Sequence, residues 1–304
     1  MIEILIDNNA FVQLCVRDNY DGLVSIFNNL YKENKLGINF NILAFLEQLE
    51  GTNSDAAFNN ARDRICKAGK LTSKNLLLPP DDYARMAIGI LSEDETKTIG
   101  KNWFNVFESL CICSSRSDFN ETLQNLKKEF RSKKDEFGPN MLSLQILSSE
   151  IFQRNNINDI EKFLLDNKPV LANVRKKIFD KVINSLMLNM ARKIYPSDLQ
   201  FRKSAFCLCV YVNVYINYLV KICRKAMTAR ESDEVDLLQT IYLASCDYLI
   251  TEDKQYRDLI NNNPFDDYLH GRAIDVASFL NMIEDDSIFR CKRAADNHTR
   301  LKFA

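Results

Sequence analysis

Two short apolar runs sit near opposite ends of this chain, and each breaks at a polar turn and gives way to helical spacing. Ile2, Ile4, Leu5 and Ile6 form the first, ended by Asp7-Asn8-Asn9, after which Phe11, Leu14 and Cys15 share one helical side. Tyr248 to Thr251 form the second, after a turn at Cys246-Asp247, and Tyr256, Leu259 and Ile260 follow on a short helix. Strands that alternate with helices at both ends of a chain predict an α/β fold built on a central parallel sheet.

The intervening segments extend that reading. Gly37 precedes a second strand, Ile38 to Ile42, and a helix with Leu43, Phe45, Leu46 and Leu49 on one side runs to Gly51. LLLPPDDYARMAIGIL reads as a short extended run, a Pro-Pro stop and a helix begun by Asp81 or Asp82. Ser232 and Asp233 offer another helix start, with Val235, Leu237, Leu238, Ile241, Tyr242 and Ala244 as its buried stripe. Ala273 to Ala277 is a last strand candidate, followed by Phe279, Leu280 and Ile283 on a helix.

Residues from about 100 to 230 read as almost wholly helical, broken at Gly138-Pro139, Pro169 and Pro196. This divides the chain into a first part of the α/β domain (1–99), a helical insertion or cap (100–230) and a second part with a basic tail (231–304). Phe206 to Val220 carries no charge, yet it is shorter than a membrane-spanning helix needs and contains Asn213 and Asn217, so a buried core helix is expected.

The chain is 46% apolar and 27% charged, which predicts a packed core. Its net charge of −1 gives no overall basic field, so any nucleic-acid binding must come from local patches. There are nine Cys and two His; the C-x-C pairs Cys111/Cys113 and Cys207/Cys209 have no His beside them, so zinc is not expected. An odd Cys count without a secretory signal suits a reducing cytoplasm.

Four acidic positions carry the candidate chemistry. Asp7 and Asp253 stand where apolar runs end, the edge at which open parallel sheets place their sites. Each also has a plainer reading as a helix cap. Asp236 follows Asp233 and Glu234, which already supply negative charge to the helix start, so a dipole role explains it less well. Glu47 and Glu50 share a helix face, and Glu47, after Phe45 and Leu46, is the better placed to meet a site. Clustered carboxylates suit a hard divalent cation.

In this order, IEILIDNN, the NILAFLEQL helix and DLLQTIYLASCDYLITEDKQYRDL resemble the PIN-domain family of metal-dependent nucleases. LLLPPDDYARMAI and AIDVASFLNMI sit where such domains place a strand-helix pair and a final strand, and the resemblance covers just under half the chain. It implies a PIN-like three-layer α/β/α fold. It also implies that Asp7, Glu47, Asp236 and Asp253 bind one or two Mg²⁺ or Mn²⁺ ions, with Thr251 orienting Asp253 or a bound water. The implied activity is phosphodiester hydrolysis by an endonuclease, on RNA before DNA, and by analogy a toxin or antiviral effector role.

Basic segments at Lys127–Lys134, Arg175–Lys177, Lys221–Arg230 and Arg290–Lys302 are either solvated faces or phosphate contacts. Among them Arg224, Lys225 and Arg230 directly precede the Asp236 helix. Two other readings stand beside the nuclease: a PIN-like scaffold that binds nucleic acid or protein without cleaving, and a helical interaction protein whose acids are caps. The helical block would be the surface for a protein partner or a second copy. No membrane association is expected.

Overall fold

The computed structural model describes residues 1–72, 76–128, 159–186, 206–224, 226–227, 230 and 233–290. Its centre is a five-stranded, all-parallel sheet: β1 (Ile2–Ile6), β2 (Leu36–Asn41), β3 (Leu76–Leu77), β4 (Tyr248–Ile250) and β5 (Ala273–Ile274). The spatial order is β3-β2-β1-β4-β5. β1 is therefore central, and the order reverses between it and β4.

Local chemistry sets the strand ends. β2 begins earlier than the sequence suggests and stops at Asn41, because the Asn41 side chain accepts from the Ala44 N–H (2.7 Å) and caps the helix Ile42–Glu50. β5 stops at Ile274, well short of Ala277, because Asp275 caps the helix Val276–Glu284 by accepting from Ser278 N–H (2.7 Å). Pro80 is the first residue of the helix Pro80–Ala87, where its missing N–H costs nothing, and Asp81 and Asp82 fill its first turn.

Side chains alternate across the sheet, so the strands feed two cores, with β2 giving its apolar residues Leu36, Ile38 and Phe40 to the first alone. Ile4 and Ile6 join Phe11, Phe40, Phe45 and Phe58 on one face. Leu5 and Leu249 join Tyr218, Tyr242 and Tyr256 on the other. Helices cover both faces, which makes a three-layer α/β/α arrangement with no strand face left to solvent.

The helices described between residues 100 and 230 pack into these same cores. Glu93–Ile112, opened by a Ser92–Glu95 capping box, and the helical residues 116–128 contribute Phe107, Leu110, Phe119 and Leu123 to the first. Ile160–Asp166, Lys168–Leu186 and Phe206–Cys223 cover the second. The Phe206–Cys223 helix joins Leu5, Leu249 and Ala273 of the sheet in the second core and packs chiefly on the 3-10 turn Thr240–Ala244. That helix is long and apolar enough to cross a membrane, yet 61% of it is buried inside the fold. Its Asn217 is fully buried and donates to the Leu259 carbonyl (2.7 Å). Pro169 is the second residue of Lys168–Leu186, whereas Gly138-Pro139 and Pro196 lie outside the described residues.

Gly69 marks the closest approach of the helices Asp55–Leu71 and Glu93–Ile112. A Cβ there would lie 2.4 Å from Phe107 Cζ. Phe107 is itself buried against Phe45, so its ring has little room to retreat. Gly69→Ala should destabilise the fold by about 1–3 kcal/mol, the usual effect of overpacking, despite the better helix propensity of Ala. Chemical denaturation of the two proteins measures it.

Candidate functional site

The site is built where β1 and β4 end side by side. Ile6 pairs with Ile250, so the next residues, Asp7 and Thr251, leave adjacent strands together. This is the point of strand-order reversal, where open α/β sheets leave a crevice at the carboxyl ends of their strands.

Asp7 is 3% exposed. Its carboxylate accepts from the Thr251 hydroxyl (2.7 Å) and from the Asn8 N–H (2.6 Å). Burial raises its pKa; the bonds from Thr251 and Asn8 and the Gln239 amide pull it back, and the nearby charge of Asp253 pushes it up again, leaving it raised overall. The Thr251 oxygen in turn accepts from the Asp253 N–H (3.2 Å). Thr251 thus links Asp7 to the backbone of the Asp253 turn, and its hydroxyl is directed at Asp7.

Asp253 caps the helix Lys254–Asn261, with Oδ1 accepting from the Tyr256 N–H (2.9 Å) and Oδ2 from Arg230 (3.1 Å). Burial acts to raise its pKa, but the Tyr256 N–H and the Arg230 guanidinium outweigh it and hold the carboxyl below its ordinary range. Asp236 lies in the first turn of the helix Asp233–Gln239 and is pushed the other way. Burial and the charges of Asp7, Glu47, Asp233 and Asp253 raise its pKa well above the usual value. Glu47 lies in the second half of the helix Ile42–Glu50 and not near its start, and from there its charge reaches Asp236.

Asp7, Glu47, Asp236 and Asp253 are therefore electrostatic neighbours. Among the described residues, however, no three Asp, Glu, His or Cys side chains form a ready-made metal-binding group. By donor chemistry alone, four carboxylate residues are groups that could hold a hard cation such as Mg²⁺ or Mn²⁺. The set also has an excess of buried negative charge that a divalent cation would offset.

Several residues around the site were not singled out in sequence. Gln239, fully buried, accepts from Asn41 Nδ2 (3.2 Å), and its own Nε2 has no hydrogen-bond partner although its amide lowers the Asp7 pKa. The buried Tyr256 hydroxyl donates to the Asp236 carbonyl, and its own pKa is raised by burial and by Asp236, Asp7 and Asp253. Gln48 bonds to Asn8, next to Asp7. Only the Asn41 cap position had a local signal; the others point at partners far away in sequence.

The proposed phosphate contacts are placed as follows. Arg230 turns inward to Asp233 (2.8 Å) and Asp253. Arg224 pairs with Glu161 (2.7 Å). Lys225 lies outside the described residues. Asp247 sits at the opposite sheet edge, accepting from the Glu3 N–H (2.8 Å).

Compared with known proteins, the chain finds no matching family model, and no curated protein or solved structure matches it significantly.

Two outcomes follow from this geometry. Asp236→Asn should raise the melting temperature of the metal-free protein at neutral pH. A raised folded-state pKa means that the fold favours the protonated acid, so wild-type stability falls as pH rises from the ordinary carboxyl range through the raised value. Asn does not titrate, so its advantage should grow over that window and vanish below it in a pH series of melts. Thr251→Val keeps the shape and removes the hydroxyl from buried Asp7. It should cost about 1–3 kcal/mol at neutral pH, and less in acid, where Asp7 is neutral, by the same denaturation assay.

Proposed function

We propose that this protein is a divalent-metal-dependent nuclease of PIN-like fold that hydrolyses phosphodiester bonds, RNA in preference to DNA. The observation that carries the reading is the meeting of Asp7 and Asp253 at the β1–β4 switch point, bridged by Thr251, with Asp236 and Glu47 coupled to them by charge.

Asp7, Glu47, Asp236 and Asp253 would hold the ion. Mg²⁺ or Mn²⁺ bound there would lower the pKa of a coordinated water and stabilise the charge that develops on the phosphate. The chain's own residues prepare that site. Thr251 and the Asn8 N–H fix Asp7. Arg230 keeps Asp253 ionised. Asn41 holds the Gln239 amide, and Tyr256 ties the Asp236 backbone to the following helix. Such fixed supports restrict the carboxylates to few rotamers before an ion arrives.

A labelled single-stranded RNA incubated with the purified protein tests this. Cleavage should require Mg²⁺ or Mn²⁺ and stop with chelator. Asp236→Asn should lower the rate by at least about two orders of magnitude while the protein remains folded. Metal-independent cleavage, or full activity in Asp236→Asn, would remove the acid set from the chemistry.

A further inference from the structure

A groove opens directly beside the acids, between the helices Asn8–Cys15, Ile42–Glu50 and Asp55–Leu71. Its volume is about 410 Å³, and Asn8, Glu47, Gln48, Thr52, Asn60 and Arg64 line it. Asn8 follows Asp7 in the chain, and Glu47, whose charge reaches Asp236, lines the groove, so the groove adjoins the acidic set.

Arg64 is the unusual member. Its Nε is buried without a hydrogen-bond partner, and its guanidinium makes no ion pair among the described residues. Arg116 shares the buried, unpartnered Nε but does not line the groove, and several other cations are committed to partners within the chain. Arg230 holds Asp233 and Asp253, and Arg175 donates to Asn213 (2.9 Å) and the Phe265 carbonyl (2.8 Å). Lys221 pairs with Asp258, and Lys127 is bound to the Thr52 carbonyl (3.1 Å) at the groove's edge. A partly buried guanidinium without a partner, lining a groove, suits an anion, and its planar fork matches a phosphate.

We propose that this groove binds one strand of nucleic acid and that Arg64 takes a backbone phosphate next to the bond presented to the acids. The groove is the size of a small-molecule pocket, so it admits a single strand and not a duplex. Among the described residues its lining has no aromatic ring on which a base could stack. Recognition there rests on phosphate charge and on the amides of Asn8, Gln48 and Asn60, and is correspondingly tolerant of sequence and sensitive to salt. The fate of the strand rests on the nuclease reading; its binding does not.

The test uses the full chain carrying Asp236→Asn, with Mg²⁺ present, and fluorescence anisotropy of a labelled mixed-sequence RNA of roughly 12 nucleotides. Adding Arg64→Ala should weaken binding roughly tenfold or more and lower the salt slope by about one phosphate. Arg64→Lys should recover much of the affinity, and melting should show both variants folded. Single-stranded DNA of equal length should show the same Arg64 dependence. Unchanged affinity in folded Arg64→Ala overturns the proposal, as does equal competition by duplex RNA or no binding by the parent. If the parent binds through Arg64 but the wild-type chain cleaves nothing, the groove stands and the nuclease reading falls. If the wild type cleaves and Arg64→Ala binds and cleaves as well, the groove falls and the nuclease reading stands.

Discussion

The pairing of β1 with β4 is the constraint on which the site depends. It joins residues 244 positions apart, as the Thr251–Asp7 hydrogen bond records. Leu5, Ile6, Leu249 and Ile250 at that junction are all fully buried. The entropy of closing a loop grows only logarithmically with its length, about 0.6 kcal/mol for each doubling, so a long helical block between β3 and β4 is tolerated thermodynamically. Its described helices then contribute to the cores on both faces of the sheet, which an all-parallel sheet cannot leave wet.

Given that junction, the electrostatics are uneven by construction. Asp253 has Arg230 and a backbone N–H and is held in its charged form, whereas Asp236 sits among the like charges of Asp7, Glu47, Asp233 and Asp253 and is driven toward its neutral form. Two neighbouring carboxyl groups are thus driven in opposite directions by their surroundings, which supports the reading proposed for this cluster. The cap roles of Asp7 and Asp253 are real as well: each accepts from the N–H groups that open a helix. Capping and site chemistry coexist because a helix start at a strand's carboxyl end points its N–H groups into the same crevice.

The cations divide along a similar line. Basic runs in the sequence supply Lys127, Arg175, Lys221, Arg224 and Arg230, and in the fold each of these is engaged by an internal acceptor. Arg64, from the unremarkable stretch FNNARDRICKAG, instead lines a groove and makes no ion pair among the described residues. Local charge density says where a helix face is solvated, but partner availability decides which cation stays open to a ligand.

The sequence by itself determined the local events: an apolar strand that stops at Asp7, the helices that follow the strands, the amphipathic stripes, and so the α/β class with acids at strand ends; it carried the second strand to Ile42, one residue past the Asn41 cap. These depend on neighbours a few residues apart, which periodicity and capping residues report directly. Only the tertiary structure decided that β4 lies beside β1, that Thr251 faces Asp7 and not the Asp253 carboxylate, and that Gln239 and Tyr256 belong to the site. It also decided that the Phe206–Cys223 helix completes the core and that Arg230 is spent on acids. Each of these depends on strand order and on partners supplied from distant segments, and a buried amide or hydroxyl has no signature in sequence until the fold names the group it must satisfy.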